Sequence, residues 1–393
     1  MKIIVIGGAG TMGQIIVQDL MECPDVQEIL IADYNEEKAK FLARSFNNSR
    51  INGVFSNATQ VDRMAAIMKG FDAVINAAQY DVNLNVMEAC LKAECHYNDL
   101  GGMFHITRKQ MGLHNDFKRS GLTAVLGIGS APGITNILAR YAYDRLDEVE
   151  IVQISNASTD LTDMKGIDVF NPPYSIRTIM EEYAFETVQF IDGEYKTLPP
   201  LSGAMEIYFP EPIGKRVCIH TLHSEPATIP DSFRGKGIKE VTWRLSLEPD
   251  FEKKAAFLSF IGFSNVDPIE INGQKVIPRE ALAAVLQKHV AEKLQRVELK
   301  IEGMACLRAH VIGRKDKKAV EYTVDCIAKP HSRWGSFCDT STPPSIVAQM
   351  QINGMIKEPG VWAPEQVIDP EFFFKELSKR EMRVSVAVKE QIA

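Results

Sequence analysis

MKIIVIGGAGTMGQIIVQDLM, residues 1–21, is the stretch whose reading decides the fold. Residues 1–6 are a run of aliphatic and β-branched side chains, the composition of a strand buried on both faces of a parallel sheet. Gly8, Gly10 and Gly13 follow in the pattern G-x-G-x-x-G. From Thr11 on, apolar side chains recur at helical spacing, so the order is strand, glycine turn, helix. Such a turn needs glycine three times: for tightness, for close approach of a pyrophosphate, and for packing of helix on strand. The helix start, at Thr11 and Met12, offers unpaired N–H groups and a positive dipole end to the phosphates. A second aliphatic run ends in Asp33, twenty residues after Gly13. At that spacing a carboxylate meets the adenine-ribose hydroxyls and repels a 2′-phosphate. Residues 34–37 (YNEE) hold no arginine to receive one, so the expected cofactor is NAD rather than NADP.

Outward from this unit the alternation continues. Helices are expected over 36–46, 61–69, 83–93 and 106–120, and strands over 51–55, 71–76, 95–98 and 122–126. Six strands joined by helices make a doubly wound parallel sheet with right-handed crossovers. Ligands then sit beyond the carboxyl ends of the strands, at the switch between the two halves. That selects three loops: 76–83 (NAAQYDVN), 99–105 (DLGGMFH) and 127–136 (GIGSAPGITN).

The first loop is expected beside the nicotinamide half of the cofactor. Asn76 can bond it, Ala77 and Ala78 permit close approach, and Tyr80 brings a phenol that donates, accepts or stacks. The second places Asp99 at a strand end with Gly101, Gly102 and His105 behind it. Asp99 and Tyr80 are the expected catalytic pair, although an aspartate at such a place also serves as a turn or cap residue. The third loop, with Pro132, either presents a second ring of backbone donors to an anion or is the hinge into a second domain.

With 393 residues the chain is long enough for two cores. An apolar fraction of 45% with 24% charged residues and a mean hydropathy of −0.10 describes a globular chain in water. The net charge of −7, without basic runs, argues against a nucleic-acid partner. No apolar stretch reaches a membrane-spanning length and no secretory segment precedes the first strand, so a cytoplasmic location with no membrane partner is expected. Seven dispersed cysteines without a C-x-x-C pair, and histidines without helical ligand spacing, give no metal site.

Beyond residue 149 the helix–strand rhythm is lost. Strands over 150–154, 240–247, 297–303, 305–313 and 319–327, a helix after Pro172-Pro173, and a hairpin at Asn272-Gly273 point to a second α+β domain with a mixed or antiparallel sheet. Arg177, Arg216, Arg308 and Arg333 are candidate clamps for a substrate carboxylate. His220 and His223 read as a partly buried structural pair, with His220 also a candidate substrate contact.

The glycine turn, Asp33, NAAQYDVN, HYNDLGG (96–102), SAPGITN (130–136) and GVWAPEQV (360–367) together resemble the saccharopine dehydrogenase family, closest to its lysine 6-dehydrogenase branch. The resemblance departs at 218–230 (CIHTLHSEPATIP). It implies an NAD(P)-linked oxidoreductase acting at a carbon–nitrogen bond of a small, lysine-derived amino acid, with Asn83, Gly101, Gly102, His105, Pro132, Arg177 and His220 about the substrate. It further implies a dinucleotide domain over 1–130 completed by 360–393, a substrate-binding and dimerisation domain over 131–359, and a homodimer. Saccharopine dehydrogenase proper and an NAD-binding redox sensor are the alternatives.

Overall fold

In the computed structural model, which describes residues 1–295 and 297–391, six strands carry the first half of the chain: β1 (Lys2–Ile6), β2 (Glu28–Asp33), β3 (Ile51–Phe55), β4 (Ala73–Asn76), β5 (His96–Asp99) and β6 (Thr123–Val125). They form one parallel sheet in the order β3-β2-β1-β4-β5-β6, and Gly360–Trp362 adds a seventh strand beside β6. The switch in strand order falls between β1 and β4, which pair directly. β1 is central because it is apolar on both faces. Ile3 and Val5 pack with Ile16, Val17 and Leu20 of the helix Thr11–Met21 on one face. Ile4 and Ile6 pack with Val86 and Met87 of the helix Asn83–Ala93 on the other. Each such side chain, taken fully from water, contributes about 1.5–3 kcal/mol.

The sheet is completed from far along the chain. The helix Cys338–Ile352 lies across it, and its Gln351 amide donates to the Tyr97 and Thr123 carbonyls at 2.9 and 3.0 Å. Asn98 in turn donates to the Pro344 carbonyl and to Gln351 Oε1, each at 3.2 Å.

The second sheet is mixed, as its sequence suggests. Glu148–Asp160 and Glu240–Ser246 run parallel, while Gly303–Lys315, Lys318–Ala328 and Arg383–Glu390 add antiparallel strands on one side. The strands Thr187–Ile191 and Glu194–Leu198 close the other. Val152, Ile154, Leu307, Ala309 and Val324 alternate onto the face that receives Ile137 and Leu138 of the helix Ile134–Tyr143. The opposite face is partly covered by the hairpin of Met205–Tyr208 with Lys215–Cys218, through Phe209 and Ile213. The Asn272-Gly273 turn stands as read, with φ of 51° and 76° joining Ile269–Ile271 to Gln274–Val276.

Three expectations are corrected. Residues 297–302 form no strand, and the pairing begins at Gly303. The expected helix over 106–120 is two helices, Met103–Met111 and His114–Arg119, with Gly112 between them. The tail is divided: Gly360–Trp362 joins the first sheet, but Arg383–Glu390 is the edge of the second. Val384 and Val386 sit in register with Cys326 and Val324, and that apolar pairing draws the tail there. Among the described residues, no helix is long and apolar enough to cross a membrane.

Candidate active site

The glycine turn is packed to leave one opening. The Gly7 N–H donates to the Ala32 carbonyl at 2.8 Å, tying the turn to β2. A methyl on Gly13 would lie 2.5 Å from Gly7 O and Gly8 Cα, so helix and turn are in contact there. A methyl on Gly7 would meet Ala77 O and Ala78 N at 2.9 Å, which sets the loop after β4 against the turn. Gly10 is different: a methyl would meet only Gly7 O, at 3.1 Å, and its φ of −72° suits any residue. What glycine preserves at position 10 is therefore space. No side chain caps the helix Thr11–Met21, so its first N–H groups face that space with exposed Thr11. Met12, half-buried beside them, accepts from Ser341 Oγ at 3.3 Å. Asp33 accepts from the Ala9 and Asn35 N–H groups at 3.1 and 2.9 Å, which aims the carboxylate along the turn. This cradle fits a dinucleotide.

Asp99 ends β5, as expected, and its carboxylate turns inward. It has no exposed surface. Oδ1 accepts from the Gly101 and Gly127 N–H groups at 2.9 and 2.7 Å. Oδ2 accepts from Tyr97 Oη at 2.8 Å, from Gln110 Nε2 at 2.6 Å and from Asn83 Nδ2 at 3.3 Å. Burial pushes its pKa above the ordinary value, while the Gly127, Gln110, Tyr97 and Gly101 donors pull it back. Asn83 also donates to Gly101 O at 3.0 Å and accepts from Asn76 at 2.8 Å. Asn76 Oδ1 holds the Ala78 N–H at 3.2 Å. The expected site residues Asp99, Asn76 and Asn83 thus share one buried network that fastens the loops after β4, β5 and β6. A short carboxylate at a strand end, ringed by loop N–H groups, satisfies them inward.

Above this network two parts of the chain meet. Tyr80, half-buried in the short turn Tyr80–Val82, donates to Glu181 Oε2 at 2.7 Å. Glu181 and Glu182 belong to the helix Ile176–Ala184 and are 7% and 3% exposed. Arg279 pairs with Glu181, and Tyr174 donates to Glu182. Burial pushes Glu182 up to about 7, with His223 and Tyr174 opposing and Glu181 and Glu225 adding. Burial likewise raises the Tyr80 phenol far above its ordinary value, and Glu181 adds to it, so this hydroxyl keeps its proton.

His223 lies flat on Trp243, with ring centroids 3.9 Å apart and planes at 11°. Its Nδ1 bonds Glu225, which is fully buried and accepts from Thr135 Oγ1 at 2.8 Å. Thr107 Oγ1 donates to Ser224 Oγ at 3.3 Å. Burial works against charge on His223, but Glu225 and Glu182 outweigh it and its pKa is raised.

The remaining expected contacts divide. Pro132 packs on Gly101 near this seam, and Gly102 lies against Gln110. His105 is exposed, edge-on to Phe104. His220 is buried with Nδ1 2.9 Å from the Trp243 carbonyl, and burial with the charge of Arg244 holds its pKa down at about 4. Arg177 pairs with Glu280 and Arg333 with Glu22 at 2.7 Å, Arg308 grips Asp325 through two bonds of 2.7 Å, and Arg216 is 3.5 Å from Glu248. Arg177, Arg308 and Arg333 are thus paired with acids of the chain itself, while Arg216 keeps a buried Nε without a hydrogen-bond partner among the described residues. Glu181, Glu182, His223 and Glu225 were not among the expected site residues. The adjacent acids of EEY (181–183) and the His-Ser-Glu of 223–225, inside the segment that departs from the resemblance, are the signals that point to them.

Two family models match the chain: "Saccharopine dehydrogenase NADP binding domain" over residues 3–125 and "Saccharopine dehydrogenase C-terminal domain" over 129–382. Carboxyaminopropylagmatine dehydrogenase of Synechocystis sp. is 25% identical, over 96% of this chain and 95% of the relative. Carboxynorspermidine synthase of Vibrio cholerae is 25% identical, over 94% and 92%. Among solved structures, apo saccharopine dehydrogenase (L-Glu forming) of Saccharomyces cerevisiae is similar with a TM-score of 0.73 at 16% identity, covering 99% of this chain and 100% of the other. The homospermidine synthase of Legionella pneumophila in complex with NAD has a TM-score of 0.69 at 11% identity, covering 99% and 91%. At these identities the two structures share the fold.

Proposed function

We propose that this chain, which belongs to the saccharopine dehydrogenase family of NAD(P)-binding oxidoreductases, acts on the carbon–nitrogen bond of a linear amine that carries a carboxyl group. The observation that carries the reading is the buried acidic seam: Glu181, Glu182 and Glu225 against Arg279 and His223. Such a seam attracts ammonium groups and disfavours a substrate rich in carboxylates. Saccharopine, with several carboxylates, needs free cations, and Arg177, Arg308 and Arg333 are each paired with an acid of the chain at 2.7 Å. A carboxylated polyamine of the kind named in the relatives suits the seam better. Lysine, which the lysine 6-dehydrogenase-like motifs suggest and which offers one side-chain ammonium, is the second reading.

The bound nicotinamide would supply the hydride acceptor or donor. The chain's part is to hold the reacting carbon over the ring, exclude water and manage one proton. Gly10 and the start of the helix Thr11–Met21 hold the phosphates, and Asp33 holds the ribose diol, which favours NAD. Ala77 and Ala78 admit the ring, and Tyr80, a committed donor, orients the substrate instead of deprotonating it. We assign residues 1–130 with 338–362 to the cofactor unit and the rest of the second sheet to the substrate unit. The exposed Phe257, Phe260, Ile269, Ile271 and Val285 support a homodimer.

The test is purified protein with NAD or NADP and a panel of lysine, saccharopine and carboxyalkyl polyamines, followed by absorbance of the reduced nicotinamide. The reverse reaction uses a free polyamine with a carboxylated aldehyde and NADH or NADPH. Turnover is expected for the secondary amines of the polyamine type. Turnover of saccharopine alone would reverse the reading of the seam.

A further inference from the structure

We infer that His223, backed by Glu225, is the group that takes the proton from the substrate amine during oxidation and returns it in the reverse direction. The inference rests on the reaction class proposed above and adds the identity of the base.

Placement comes first. His223 belongs to a segment held from both sides of the seam. On one side Ile219 bridges Leu245 of the second sheet. On the other, the next two residues are tied to the first unit's loops, Ser224 by Thr107 and Glu225 by Thr135. Both threonines lie at the carboxyl ends of the parallel strands, in the helix after β5 and the helix after β6, where an open parallel sheet binds its ligands.

Orientation follows. The stack on Trp243 fixes the plane of the imidazole, and the Nδ1 bond to Glu225 fixes its rotation about that plane. Among the described residues, no hydrogen bond engages Nε2. A ring locked on one face and at one nitrogen, with the other nitrogen left over in the seam between two units, has the form of a positioned base. The second carboxylate oxygen of Glu225 is taken by Thr135, so Glu225 is itself oriented by a third group.

Charge completes the argument. The groups facing the imidazole are Glu225 from its own segment and Glu182 from the helix Ile176–Ala184. Behind Glu182 stand Tyr174 and Glu181 with its Arg279. An ammonium, whose free pKa is about 10.4, must lose a proton before its nitrogen lone pair can form a double bond to carbon. Neutral His223 accepts that proton at Nε2, and the resulting imidazolium shares its Nδ1 proton with Glu225. The freed lone pair forms C=N as the hydride leaves carbon for the nicotinamide ring, giving an iminium and the reduced cofactor. Water then adds to the carbon, the C–N bond breaks, and the nitrogen departs as an amine. Secondary amine, oxidised cofactor and water thus become carbonyl, primary amine, reduced cofactor and one proton.

The experiment uses the full-length protein with the amine that the panel identifies, comparing wild type, His223→Asn and Glu225→Gln. His223→Asn should lower kcat/KM by about 10²–10⁴. It should also abolish the low-pH limb of the kcat/KM profile and leave cofactor affinity unchanged. Glu225→Gln keeps the Thr135 bond but removes the charge that favours the imidazolium, so the limb should persist and move to lower pH. Independently of turnover, NMR titration of labelled histidine, assigned through His223→Asn, should show the His223 pKa lowered in Glu225→Gln. If His223→Asn fails to fold, the Glu225→Gln profile decides, and an unmoved limb overturns the proposal. A folded His223→Asn within about threefold of wild type, with its limb intact, overturns the proposal while wild-type turnover upholds the reaction class. No wild-type turnover of any amine with either cofactor overturns both.

Discussion

Glu182 is a carboxyl that the fold holds against ionisation. Burial first, then Glu181 and Glu225, move it from an ordinary 4.5 to about 7. As pH rises the unfolded chain loses this proton before the folded one, so the folded state is progressively disfavoured between those two values. The loss amounts to about 3 kcal/mol. Glu182→Gln removes the titration. Urea midpoints across this range should therefore show the variant gaining about 3 kcal/mol on wild type as pH rises, and a constant gap would mean that Glu182 ionises normally. Asp99 tests the buried network instead. Asparagine has one acceptor oxygen where the carboxylate serves five donors. Asp99→Asn should cost about 1–3 kcal/mol for each donor left unmatched, seen as a lower Tm, with turnover per folded molecule within a few fold of wild type. A stable variant with turnover lowered by decades would return Asp99 to the chemistry. These two acids also show what sequence can carry. Asp33 and the glycines were legible because their meaning is fixed by spacing within one strand–turn–helix unit. The strand-end place of Asp99 was legible, but its inward turn was not, because a strand-end aspartate reads the same whether it turns inward or outward. Glu182 and His223 lie some 40 residues apart and share a site only through packing.

At the scale of elements, the parallel sheet was readable because β1, β2, β4 and β6 are short runs rich in apolar residues and the helices between them carry apolar stripes. Those two periods were enough to give the order and the loops that matter. Helix boundaries slipped where a glycine interrupts an amphipathic pattern, as at Gly112. The hairpin at Asn272-Gly273 was found because its residue pair tolerates the positive φ that a mirror turn demands. Residues 297–302 misled because an alternating pattern (VELKIE) makes a strand only when an edge is there to receive it, and pairing starts at Gly303. The segment Glu225–Phe233 was unrecognised as a helix because Pro226 and Pro230 read as breakers, yet Pro226 stands in its first turn, where no N–H is needed.

Taken whole, the chain passes between its two sheets three times. It builds the first sheet through Val125 and the second from Glu148 to Ala328. It then returns to the first for 338–362 and ends in the second with 370–390. A chain ending at residue 335 keeps the glycine cradle and Asp33. It loses the strand beside β6, the Gln351 bonds across β5 and β6, and the Ser341 contact to Met12 at the cofactor's helix. Such a truncated protein should neither elute as a monodisperse species nor bind NAD or NADP in a fluorescence titration, and normal cofactor affinity would refute this dependence. The return of 338–362 has a bearing on biosynthesis. The dinucleotide motif leaves the ribosome more than 300 residues ahead of the layer that steadies it. A nascent chain therefore carries an open sheet edge while the residues between 126 and 337 are made, a period in which a holding chaperone would protect it. Cofactor capture becomes a signal that residues 338–362 have docked.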